Sequence, residues 1–122
     1  MTVAAMLAAY PAIGHEGHEH QGKEAVGENK QEVTVKGEVL DMACYLDHNA
    51  TGEKHIACAT KCIESGLPVG VKADDGKTYL LIGEHKPLNS ELAQYAGKTI
   101  TVKGKLSSRD GISMIENAEI QK

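Results

Sequence analysis

The sequence predicts a mainly β domain with two short helices: an OB-like five-stranded Greek-key barrel with one helix inserted after the first strand. Three observations lead there. Five stretches between Glu32 and Ile120 are apolar or alternate with the two-residue period of a strand. Asp-Gly pairs at 75–76 and 110–111 lie between such stretches, which is a strong hairpin signal. Two further stretches, 53–65 and 89–96, carry helical patterns, each closed by a glycine. A length of 122 residues leaves room for one small domain.

The first strand spans Glu32–Met42, with Val33, Val35 and Val39 on one phase and Gly37 marking a bulge or sharp bend. The helix over Glu53–Ser65 follows, closed by Gly66 and stopped by Pro68. Pro68–Ala73 and Thr78–Gly83 are the second and third strands, joined by Asp74-Asp-Gly-Lys77. The second helix, Asn89–Ala96, places Leu88, Leu92 and Tyr95 on one face and uses Gly97 as its cap. Lys98–Leu106 points Ile100, Val102 and Leu106 inward, Arg109-Asp-Gly111 turns the chain, and Ile112–Ile120 is the last strand. A short helix between the third and fourth strands of a five-stranded barrel is OB-fold order; a less regular β-barrel with two helices is the alternative.

Composition narrows the function. Aromatic residues make up 3% of the chain, four Tyr without Phe or Trp, too few rings for a base-stacking platform. A net charge of −4 lacks the basic surplus that holds phosphates, so nucleic-acid partners are not expected. No apolar run reaches the roughly 20 residues of a membrane-spanning helix.

Residues 1–13 are apolar, rich in small residues and uncharged, like the apolar and cleavage regions of a secretory signal. Lys23 is the first basic residue, so the usual basic start is missing, and a frayed Ala-rich helix is the competing reading. A signal remnant implies a periplasmic or secreted protein with its cysteines in an oxidising compartment. Residues 14–30 are polar and predicted to be disordered. They hold His15, His18 and His20, which suit weak capture of zinc, copper or nickel or else form a polar spacer. Residues 31–122 form the barrel domain.

Over residues 32–121 the chain resembles small exported bacterial OB-fold-like proteins. The matching residues are Gly37-Glu-Val-Leu-Asp41, Cys44-Tyr-Leu46, His55-Ile-Ala-Cys-Ala-Thr-Lys-Cys62, Gly66-Leu-Pro68 and Ala96-Gly-Lys-Thr-Ile-Thr-Val-Lys-Gly104. The resemblance implies the fold and carries no established activity.

The chemistry concentrates between Cys44 and Cys62. On one continuous helix His55, Cys58 and Cys62 are spaced i, i+3 and i+7 and share a face. With Cys44 folded back they make a Cys3His set, the donor type of a closed zinc site and equally suited to copper. His48 is the substitute donor. The competing reading is a structural disulfide. Cys58 and Cys62 are poor partners, because Cβ atoms one helical turn apart lie about 5–6 Å from each other and a disulfide needs about 3.5–4.5 Å. Cys44 paired with either leaves one thiol over. A redox site is the third reading, although C-x-x-C is absent.

Other motifs fail on a required residue. Asp47-His-Asn-Ala-Thr-Gly52 opens like a calcium loop, but the twelfth position is Cys58 rather than Glu; a polar turn, with Thr51 as a helix cap, fits better. Gly76-Lys-Thr78 and Gly97-Lys-Thr99 lack the upstream glycine of a phosphate loop, and no nucleophile elbow is present. Asn49-Ala-Thr51 is a glycosylation sequon relevant only to a eukaryotic secretory route. His85 is expected in an exposed loop, and Tyr45 and Tyr79 in the core or at its rim. The sequence thus predicts a non-enzymatic exported protein holding zinc or copper through Cys44, His55, Cys58 and Cys62, with a protein partner in the cell envelope. A disulfide-stabilised binding module for a protein or small ligand, without metal, is the alternative.

Overall fold

The computed structural model describes residues 31–121. The readings of residues 1–13 as a signal remnant and of 14–30 as a His-rich segment, with His15, His18 and His20, lie outside the described residues. Five strands close a barrel: β1 Gln31–Asp41, β2 Val69–Ala73, β3 Thr78–Leu81, β4 Thr99–Arg109 and β5 Ile112–Gln121, in the order β1-β2-β3-β5-β4 with β4 returning to β1. All pairings are antiparallel except the short parallel contact of β3 with β5 at Leu80↔Met114 and Leu81↔Ile115.

Alternation explains the interior. Val39, Val71, Leu81, Val102 and Ile115, one from each strand, are at most 1% exposed and meet in one cluster. Burying each such side chain is worth about 1.5–3 kcal/mol. Tyr79 is the aromatic member of this core, and aliphatic residues make up the rest of it. Val33, Val35, Leu88, Tyr95 and Leu106 pack on its edge. Leu40, on the opposite phase of β1, is buried as well and lines a small cavity together with Ala50, Thr51 and Ala59 of the segment after β1.

Both turns follow their residue chemistry. Asp110 and Gly111 have φ of 53° and 85°, the left-handed pair that a two-residue hairpin needs. In the β2–β3 turn Gly76 has φ 89° and donates its N–H to the Ala73 carbonyl, while Asp75 accepts from the Lys77 N–H at 2.8 Å. Gly37 does not interrupt β1. It stands where β1 pairs with β2 and β4 at once, opposite Ala73 and Ile100. A bulge-like register shift falls instead where β4 pairs with β5, with Gly104 facing both Asn117 and Ala118, and Asn117 has a φ of 56°.

Three short α-helices are present among the described residues, where two were expected. The unexpected one is α1, Met42–His48. The run 53–65 divides into a 3-10 turn, Glu53–His55, and α2, Ile56–Glu64. The third, α3, covers Asn89–Leu92 and continues as a 3-10 turn over Ala93–Tyr95. Asn89 donates from Nδ2 to the carbonyls of Ile63 (2.8 Å) and Leu67 (2.7 Å), tying α3 to the end of α2. Asn89→Ala should lower the unfolding free energy by about 1–2 kcal/mol, seen as a lower urea midpoint at unchanged slope.

Candidate metal centre

Cys44 comes from α1, and Cys58 and Cys62 come from α2. The start of α1 is capped by Asp41, whose Oδ1 accepts the N–H groups of Ala43 (3.0 Å) and Cys44 (3.3 Å). Its first residue donates to the chain entering β2, Met42 N–H to the Pro68 carbonyl at 3.0 Å. Met42 is 7% exposed and fills the space above Gly70, where a Cβ would stand 2.7 Å from its sulfur. Asn49 ends the helix in the left-handed region, φ 58°, donating its N–H to Tyr45. The loop beyond is fastened to β1 by the Gly52 N–H, which donates to Glu38 Oε2 at 2.6 Å.

Ala59 and Ile63 form the buried face of α2, and Cys58 and Cys62 each precede one of them, on its flank. The helix closes with paired bonds, Leu67 N–H to the Cys62 carbonyl (3.2 Å) and Gly66 N–H to the Ile63 carbonyl (3.0 Å). Gly66 supplies the positive φ of 105° which that closure requires.

The result is one cluster. The sulfurs of Cys44, Cys58 and Cys62 all lie within 4.8 Å of one another. A tetrahedral zinc with sulfurs at about 2.3 Å needs them roughly 3.8 Å apart, so side-chain rotation of about 1 Å closes the site. Three soft thiolates from two helices suit zinc or Cu(I). All three residues are free cysteines, with Cys58 exposed and the other two half-buried.

Asp41 sets the electrostatics. It is 3% exposed, and its Oδ2 is buried without a hydrogen bond of sound geometry. The carboxylate nevertheless lies close enough to hold the protons of two thiols. The Cys44 thiol is pushed up to about 12, first by hydrogen bonding to Asp41, then by burial and by the charge of Asp41. The Cys62 thiol is raised for the same reasons, partly offset by hydrogen bonding to Cys44. Both thiols are protonated at neutral pH, and a metal must displace those protons.

His55 is placed differently from the sequence pattern. The 3-10 turn ends at His55 and α2 begins at Ile56, so the continuous phase extends only to Cys58 and Cys62. The expected cap at Thr51 does not form: the turn starts from Gly52, which has no side chain to offer. His55 is not in the 4.8 Å set of donors. With Glu38, Asp41 and Thr51 it lines a cavity of about 10 Å³, and its ring centroid lies 6.0 Å from that of His48. His48 is exposed and paired with Asp47 at 3.3 Å. His85 is an exposed loop residue with φ 53°, and Tyr45 lies under the Lys72 ammonium at 5.6 Å.

Sequence reasoning missed Asp41. The signal was available: an Asp three residues before Cys44, in the position of a helix cap. No helix among the described residues is long and apolar enough to cross a membrane. No family model, curated protein or solved structure matches this chain.

Proposed function

We propose that this chain is an exported, single-domain protein that holds zinc or copper through Cys44, Cys58 and Cys62, in a structural, buffering or delivery role. The observation that carries this is the convergence of three sulfurs within 4.8 Å from two separate helices. For a fourth ligand the sequence suggests His55, with His48 as its substitute, but neither is among the donors that lie within 4.8 Å of one another. His15, His18 and His20 act as an accessory capture segment, and a protein of the cell envelope receives or supplies the metal. The apolar segment 1–13 and the resemblance to small exported proteins support export. The strand order β1-β2-β3-β5-β4, with a helix between β3 and β4, supports an OB-like reading of the barrel. The protein is not assigned a catalytic role.

A disulfide reading has one observation in its favour, the Cys44 and Cys62 sulfurs lying within 4.8 Å of each other. Native mass spectrometry with a thiol count separates the two. One bound metal, and three reactive thiols after chelation, supports the metal reading. No metal and one thiol, that of Cys58, supports the disulfide.

Metal binding should strengthen steeply with pH. Cys44 and Cys62 are both raised, so zinc displaces two protons from these groups throughout the neutral range. The affinity should then climb roughly a hundredfold per pH unit from these two alone. Proton release measured in weak buffer during zinc titration checks the number displaced.

A further inference from the structure

We infer that Asp41 supplies the fourth donor of the metal centre through Oδ2, giving a Cys3Asp set with Cys44, Cys58 and Cys62. This rests on the metal-binding reading above and names a residue that reading did not contain. The carboxylate is 3% exposed, and its two oxygens have different surroundings. Oδ1 is occupied by the N–H groups of Ala43 and Cys44. Oδ2 is buried with no hydrogen-bond partner. A buried carboxylate in that condition is costly, and such groups occur where they are paired with a cation or coordinate a metal.

The surroundings of Oδ2 say which cation. The Asp41 carboxylate stands next to both the Cys44 and the Cys62 thiols and raises both. The cap bond from the Cys44 N–H fixes the carboxylate relative to that cysteine. Asp41 lies outside the 4.8 Å set of sulfurs, towards Cys44 and Cys62. Cys58, the exposed member, is the one that would have to turn towards it. Carboxylate oxygen is an ordinary zinc donor at about 2.0–2.2 Å. It is a poor donor to Cu(I), which prefers thiolates alone. A Cys3Asp centre therefore selects a borderline divalent ion.

Cobalt(II) is the spectroscopic probe and zinc the affinity probe, applied to the full chain. Asp41→Asn keeps the cap and removes the charge; Asp41→Ser keeps a capping oxygen and has no second one. Both variants should retain thiolate-to-cobalt charge transfer, shift the d–d bands and bind zinc about tenfold or more weakly. His55→Ala should leave bands and affinity unchanged. Parent-like spectra and zinc affinity in both Asp41 variants overturn the inference, as does a loss that follows His55→Ala instead. Should the Asp41 variants not fold, zinc X-ray absorption of the parent decides. Three sulfurs and one light atom without imidazole scattering support Asp41, and imidazole scattering refutes it. Absence of thiolate charge transfer in the parent removes the metal reading itself.

Discussion

Cys62→Ser should abolish tight metal binding while leaving the barrel folded. Cys62 is half-buried on the flank of α2, beside the Asp41 carboxylate and the Cys44 thiol. The residues that anchor α2 to the core are Ala59 and Ile63, which the substitution does not touch. Serine preserves the shape of the site and removes a thiolate, and the loss should exceed about a hundredfold, because even residues behind the ligands are worth 10–100-fold. Stability offers a second readout. With zinc at a hundred times its dissociation constant, the parent gains about 2.7 kcal/mol over the chelated form. For a domain of this size that corresponds to roughly 10–20 °C in Tm. Cys62→Ser should show almost none of that gain, with a chelated Tm close to the chelated parent. If chelation leaves the parent unchanged and the variant instead loses about 3 kcal/mol without any metal present, Cys62 forms a disulfide.

Gly37→Ala should be the most damaging single methyl group that can be added to the barrel. A Cβ there would overlap the Lys72 carbonyl and stand 2.8 Å from the Ala73 Cα. Both are backbone atoms of β2, so no side chain can swing aside. β1 cannot retreat either, because Gly37 is paired with Ile100 of β4 on its other edge. Separating the strands breaks ladder hydrogen bonds next to Val39, which is fully buried. The expected loss is about 3 kcal/mol or more, at the upper end for overpacked sites. Gly76→Ala is the natural comparison, since its turn has a φ of 89° but no atom within 4 Å of the added Cβ. Its cost is conformational strain, about 1 kcal/mol. Urea unfolding of the two variants beside the parent gives the ranking. A Gly37→Ala midpoint equal to that of the parent would mean that β1 and β2 do not approach as described.

The sequence by itself determined which segments are strands and where the hairpins turn. Val33, Val35 and Val39 alternate within one short stretch, and Asp110-Gly111 has the backbone freedom of a tight turn in its own two residues. Those signals are local, acting between residues a few positions apart. The closing of α2 at Gly66 was legible for the same reason, because both closing bonds span five residues or fewer. Tertiary structure alone decided the rest. α1 has one buried residue, Met42, and its place depends on a bond to Pro68, far along the chain. The 3-10 turn that takes His55 out of the phase of Cys58 and Cys62 hangs on Glu38, which holds Gly52 from the end of β1. Asp41 acquired its place beside two thiols only when α1 and α2 were both set against the barrel. Periodicity lists the donors along one helix face; the distances among donors on separate elements exist only after the core has packed.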